Sequence, residues 1–206
     1  MRKKSHISLA CYIVRNTEAE QLLQHRKAFY LGSILPDCKP SFLSTKHEFN
    51  GTFPMVKKSI SRLIEDQGLY EKNQRAFMRH LGEVIHYLAD YFTFPHNTIY
   101  PGNLKDHCVY EGELKLALRE YLRSGRADEE QTELESFDSK HQLFEFIQKR
   151  HDEYLRIQHS IEEDCRYIVS LCRQVVAAVI QLFGIQPETL PGMHALASGQ
   201  LTGSMA

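Results

Sequence analysis

The chain has 206 residues, 42% of them hydrophobic and 25% charged, which is enough to bury a substantial core in one domain. Twenty-five Lys and Arg oppose twenty-six Asp and Glu, a formal net charge of −1, so there is no overall basic field for gripping nucleic acid and no acidic tail. Five cysteines, Cys11, Cys38, Cys108, Cys165 and Cys172, are odd in number and include no CxxC pair. That argues against a disulfide framework and a structural zinc finger, and a reducing cytoplasm fits best.

In chain order, the start MRKKSHISLACYIVRN is basic and then mildly apolar. Ser8, Cys11, Tyr12 and Arg15 interrupt the apolar stretch and no small-residue cleavage site follows, so the segment reads as mature protein. Apolar periodicity predicts helices near 6–16, 20–34, 53–66, 73–93, 108–123, 139–158 and 160–183, with strand alternation nearly absent. Turn residues predict breaks at Pro36 to Pro40, at Asn50-Gly51, at Gly68, at Pro95 to Gly102, at Ser124 to Thr132 and after Gly184. The run IVSLCRQVVAAVIQLFG is interrupted by Arg173 and Gln174 and reads as a core helix; no window reaches the length needed to span a bilayer. The expectation is an all-α fold, a single multi-helical domain over 1–185 followed by a loosely ordered tail over 186–206.

Eleven histidines are the compositional excess, and several fall in one pattern. His86, Asp90 and His96 run as HxxxDxxxxxH, followed by His107 and Glu111 as HxxxE, all within twenty-six residues. Residues four apart share a helix face, so each of two helices offers an imidazole beside a carboxylate, which is how helical bundles build metal clusters. Phase separates the two halves. Leu81, Val84, Ile85, Leu88 and Phe92 form the apolar stripe of the first helix, which leaves His86 and Asp90 with Gly82 and Glu83 on a polar face, either solvated or lining a cleft. His107 and Glu111 share a face with Leu114, Leu118 and Tyr121, so burial is expected there, and His107→Ala is expected to cost more stability than His86→Ala.

His6 lies in phase with Leu9, Ala10 and Ile13 and should point inward; alone it would be a hydrogen-bonded core histidine. Asp37 in GSILPDC and His47 in STKHEFNG are loop residues, each weak evidence by itself. His25 and His80 have no place in the pattern. His151, His159 and His194 read as surface residues, and RSGRADEEQTELE as a solvated loop. Tyr91, Phe94 and Tyr100 are candidates for the site's entrance, Asn97 for a polar contact, and Phe92 for packing.

Taken together, SHISLA, GSILPDC, a loop histidine, HYLADYFTFPHN and HCVYE appear in the order found in the zinc-dependent phospholipase C family, bacterial enzymes related to P1-type nucleases, and the chain resembles that family over about residues 6 to 111. The resemblance implies an all-helical fold with three zinc ions in a cleft. It implies that His47, His86 and Asp90 hold one zinc, that His96, His107 and Glu111 hold a second, and that His6 holds a third, with Asp90 bridging the first and third. Asp37 is implied as general base or further ligand. The implied substrate is a phosphodiester such as a phospholipid, cleaved by metal-activated water; the balanced charge, for its part, predicts no stable nucleic-acid partner.

One departure stands out. The family's secreted members begin with a tryptophan whose amino and carbonyl groups complete the third zinc site, and this chain contains no Trp. Five residues, Met1 to Ser5, precede His6, so another group must complete that site, or it is weakly held or absent. The alternatives left by the sequence are a P1-type nuclease and a metal-stabilised binding protein without turnover.

Overall fold

A computed structural model of the chain describes residues 1–38, 47–130 and 133–184, and among these it forms ten α-helices and no strand. They are α1 (Lys3–Arg15), α2 (Glu20–Gln24), α3 (Arg26–Ile34), α4 (Phe49–Glu65), α5 (Gln67–Tyr70), α6 (Gln74–Tyr91), α7 (Leu104–Arg123), α8 (Arg126–Glu129), α9 (Lys140–Tyr154) and α10 (Ile161–Phe183), with 3-10 turns at Pro36–Cys38 and Phe94–His96. The all-α expectation holds. The boundary at 185, the tail over 186–206 and His194 lie outside the described residues.

Four local expectations are corrected. The segment 20–34 is two helices, because His25 leaves helical geometry and lets α3 set off in a new direction. Asn50 and Gly51 are not a turn but the first turn of α4, where the Glu48 carbonyl already accepts from the Gly51 and Thr52 amides. An Asn-Gly pair marks a hairpin only between strands, and none flank it here. Gly68 sits inside the short α5. The charged run after Ser124 is not wholly solvated, since Gly125 at φ 86° reverses the chain and α8 buries Ala127.

Helix ends follow local chemistry. Asn103 and Asp106 form a reciprocal capping box at the start of α7, and the hydroxyls of Ser139 and Ser160 accept amide hydrogens in the first turns of α9 and α10. Gly184 closes α10 in the left-handed conformation at φ 83°. By length and composition α10 does suffice to cross a bilayer, contrary to the sequence reading. Here it is a core helix: Ile168, Cys172, Val175, Val176 and Val179 are buried, and it packs on α4, α6, α7 and α9.

The position of the site is set by α6, which packs between α3, α4 and α10. Where α6 crosses α3, Gly82 and Gly32 remove both side chains; a Cβ on Gly82 would lie 2.3 Å from the Phe29 carbonyl oxygen. The backbones therefore touch, and one turn further along α6, His86 Nδ1 reaches the Ser33 carbonyl at 2.8 Å. Helix α1 packs on α3 and α7, carrying Met1 and His6 to the same place.

Candidate metal centre

Three clusters of ligand-type side chains meet here: His6 with Asp37 and His86; His47 with His86 and Asp90; and His96 with His107 and Glu111. Five helical or turn elements contribute. His6 comes from the first turns of α1, Asp37 from the 3-10 turn after α3, His86 and Asp90 from α6, His96 from the 3-10 turn after α6, and His107 and Glu111 from α7. His47 precedes α4. All eight residues singled out in the sequence are therefore brought into one region.

Asp90 is the hub. Its Oδ2 faces His47 Nδ1 at 2.9 Å and His86 Nε2 at 3.3 Å, while its Oδ1 faces His6 Nε2 at 3.3 Å and the Met1 amino nitrogen at 2.5 Å. His86 Nε2 also lies 3.2 Å from His47 Nδ1 and 3.5 Å from Asp37 Oδ1. In the outer cluster, Glu111 Oε1 faces His96 Nε2 at 3.1 Å and His107 Nε2 at 3.3 Å. The Met1 amino group joins the clusters, lying 3.1 Å from His96 Nε2 and 3.2 Å from Glu111 Oε1.

Burial reverses the phase reading. His86 and Asp90 are 0% and 1% exposed, whereas the side chains of His107 and Glu111 are 29% and 17% exposed. The polar face of α6 is not solvated; it is the face that Gly82 presses against α3. The buried half of the site is the α6 half, so the expected order of stability costs is reversed too, and emptying His86 removes the more deeply packed ring.

The electrostatics favour a cation. Burial by itself would raise the Asp90 carboxyl, but the Met1 ammonium and the His96, His86 and His6 rings hold it well below the usual carboxylate range. Burial opposes ionisation of Glu111 as well, and hydrogen bonds from His107 and His96 with the Met1 charge hold it low. Burial, with His86 beside it, pushes His6 down to about 3, and burial and the Met1 charge lower His96. These rings are thus neutral at pH 7, the form that binds metal. Asp37 is raised by its burial.

The residues fit zinc. His6 Nε2 is buried without a hydrogen bond, since Asp90 Oδ1 at 3.3 Å is out of line for one. A buried ring nitrogen left so is costly, and an ion would satisfy it. Five imidazoles and three carboxylates with no thiolate suit zinc in an open site rather than a closed structural one. Neighbouring ligand atoms stand 2.9 to 3.5 Å apart, close to the edge of about 3.3 Å for a tetrahedron with zinc–ligand bonds of about 2.05 Å. The Ser33 carbonyl takes the Nδ1 proton of His86 and so turns its Nε2 lone pair inward, the usual outer support of a zinc histidine.

A helical bundle that gathers histidines and carboxylates around a central aspartate presents the donor set of a metal centre. The family model described as zinc dependent phospholipase C matches residues 5–161, from α1 to the start of α10, and the chain belongs to that family. No match was found among curated proteins or among solved structures.

Sequence reasoning missed several supports. The Met1 amino group stands among Asp90, His96 and Glu111, in the part the resemblance gives to an N-terminal tryptophan. Asp164, fully buried in the first turn of α10, accepts from the Phe94 amide at 2.9 Å, the Tyr110 hydroxyl at 2.9 Å and the Tyr154 hydroxyl at 2.6 Å. One carboxylate thereby ties the turn carrying His96 to the helix carrying His107 and Glu111. His151 is buried rather than superficial: its Nε2 meets Asn97 Oδ1 at 3.0 Å and its ring stacks on Phe49 at 3.9 Å. Asn97 in turn donates to the Tyr91 and Thr93 carbonyls, so it braces the loop after His96. Tyr91 is not at the entrance, being buried with its hydroxyl on Thr52, and Phe92 is packing. Tyr100 stands edge-on to His107 at 6.5 Å and to Phe94 at 5.0 Å, while Phe94 stacks on the half-buried His159.

Proposed function

We propose that the protein is a zinc-dependent phosphoesterase that hydrolyses a phosphodiester, with a phospholipid as the leading substrate class. The family membership supports the reading, and the single observation that carries it is the gathering of eight ligand-type side chains into one region with Asp90 and Glu111 at its centres. His47, His86 and Asp90 would hold one ion and His96, His107 and Glu111 a second. His6, the other oxygen of Asp90 and the Met1 amino group would hold a third.

Zinc in these positions would neutralise charge on the phosphoryl oxygens and lower the pKa of water from about 15.7 to about 7, which makes a nucleophile available near neutral pH. The two oxygens of Asp90 face opposite groups of ligands, so this residue sets the spacing of the whole centre. Asp37 stands at its margin, with Oδ1 3.5 Å from His86 Nε2, and its burial raises its proton affinity toward the range useful for a general base. The more open His107 and Glu111 side leaves room for a substrate to approach past Tyr100.

The test is elemental analysis of protein purified without added metal, followed by assays on bis-nitrophenyl phosphate, phosphatidylcholine and single-stranded DNA. Bound zinc and zinc-dependent release of a phosphorylated head group are expected. Absence of both metal and metal-dependent hydrolysis overturns the reading, and preferential cleavage of DNA replaces it with a nuclease. Asp37→Asn should keep the zinc and lose rate, whereas a binding protein would have no rate to lose.

A further inference from the structure

A groove of about 480 Å³ runs between α1 and α7, lined by Lys3, Lys4, Lys115, Arg119 and Arg123 together with Ile7, Ser8, Ile34 and Leu116. Among the described residues no acidic side chain lines it. In a chain of formal net charge −1, five cations converge on one surface. Lys115, Arg119 and Arg123 are spaced four apart and so form one stripe along α7, facing the first turn of α1.

Part of the surface charge elsewhere is neutralised locally. Arg62, Arg79, Arg126, Arg150 and Arg166 each pair with a carboxylate one helical turn or less away. None of the five groove cations has an ion pair or side-chain hydrogen bond among the described residues. Like charges four apart weaken a helix, and folding gains nothing from collecting them in a concave place. An arrangement that costs the free protein something is accounted for by an anion that arrives later.

The apolar lining narrows what that anion is. Leu116 is 61% exposed, and Ile7 and Ile34 lie half-buried beside it. Phosphates over an apolar layer are the chemistry of an anionic bilayer surface, to which Lys and Arg are drawn electrostatically while aliphatic side chains enter the interface. A single-stranded nucleic acid would instead call for aromatic stacking platforms, and among the described residues none lines the groove. The groove's near end adjoins the metal centre: Lys3 and Lys4 lie between Met1 and His6, Lys115 is one turn past Glu111, and Arg2 Nη2 donates to the Cys108 carbonyl at 2.8 Å beside His107.

We propose that the basic groove between α1 and α7 docks the protein on anionic membrane surfaces, separately from the metal centre. Docking is a property of this surface alone and does not depend on turnover.

The experiment is co-sedimentation of the full chain, with its metals, with vesicles of phosphatidylcholine alone and of phosphatidylcholine mixed with phosphatidylglycerol. The triple variant Lys115→Glu, Arg119→Glu, Arg123→Glu is compared with the wild type in both. Binding only to the mixed vesicles is expected. It should weaken as salt rises from about 0.1 to about 0.5 M and fall by about 100-fold or more in the variant. Unchanged melting temperature and unchanged rate on soluble bis-nitrophenyl phosphate would show that the variant's fold and metal centre are intact; if the triple variant unfolds, Lys3→Ser with Lys4→Ser on α1 replaces it, with a partial loss expected. Equal binding to both vesicle types, no binding to either, binding unaffected by the substitutions, or binding to single-stranded DNA in place of vesicles overturns the proposal. An inactive protein that still docks removes the proposed hydrolysis and leaves this inference standing.

Discussion

Gly82 on α6 and Gly32 on α3 occupy one contact: a Cβ on Gly82 would stand 2.3 Å from the Phe29 carbonyl oxygen, and one on Gly32 2.0 Å from the Arg79 carbonyl oxygen. Backbone cannot yield at such distances without moving a helix. Gly82→Ala should therefore destabilise the protein by about 1–3 kcal/mol, because overpacking outweighs the helix-propensity gain of about 1 kcal/mol. It should also weaken zinc binding, since His86 depends on α3 for its bond to Ser33. Gly51→Ala, where nothing lies within 4 Å, should be neutral or stabilising. Urea denaturation with a zinc titration checks both, and a Gly82→Ala protein as stable as the wild type would sink this account of the crossing.

The same contact explains what the sequence could and could not reveal. Helical periodicity located seven segments because each has an amphipathic face, and the spacing of His86, Asp90, His96, His107 and Glu111 exposed the ligand set. Phase failed on which half was buried. A hydrophobic-moment argument treats glycine as polar filler, yet Gly82 is the point of closest helix contact, so the face it shares with His86 and Asp90 is the inner one. The stripe of Leu114, Leu118 and Tyr121 is buried as expected, but it runs out before Glu111 and His107, which lie at the rim. Asp164 and His151 were illegible for another reason. A buried polar residue is recognised by its partners: Asn97 lies 54 positions from His151, and of the three partners of Asp164 only Tyr154, ten positions away, is near in sequence, with Tyr110 at 54 and Phe94 at 70.

Asp164 joins the two elements of the outer cluster, so its loss should act on metal as well as on folding. Asp164→Leu leaves the Tyr110 and Tyr154 hydroxyls and the Phe94 amide without their acceptor and should cost about 3 kcal/mol or more. Asp164→Asn keeps one acceptor oxygen for Phe94 and Tyr110 and should recover most of the loss. Zinc titration should show weakening confined to the His96, His107 and Glu111 position. Equal weakening at every position would make Asp164 a general stability residue and no more.

His151 sets a pH dependence whose sign follows from its burial. Burial lowers its pKa from the ordinary 6.5 to about 4, so the unfolded chain binds its proton first as pH falls. The stability it contributes is complete above pH 6.5 and is lost between 6.5 and 4, at up to about 1.4 kcal/mol per pH unit. His151→Gln removes this titration while still reaching toward Asn97. The stability gap between wild type and variant should shrink steadily from pH 7 to pH 4, and comparing the two cancels the proton competition for zinc that both share. A gap independent of pH would show that His151 is protonated, or exposed, in the native state.

The amino group of Met1 is the element of the site most open to a direct chemical test. It lies 2.5 Å from Asp90 and 3.2 Å from Glu111, and these carboxylates raise its pKa against the opposing effect of burial. In zinc-free protein it is the cation beside them; with zinc present, its neutral form would be a nitrogen donor where the family resemblance places a tryptophan's. Acetylating it, or extending the chain ahead of Met1, removes both roles. The zinc-free protein should lose about 3 kcal/mol, the cost of stranding a buried charge, and the zinc content should fall by about one equivalent with His6 the ligand left idle. A tag at the other end of the chain should do neither. Native mass spectrometry of both forms counts the zinc, and an acetylated protein that holds the same number of ions at the same melting temperature would remove Met1 from the centre.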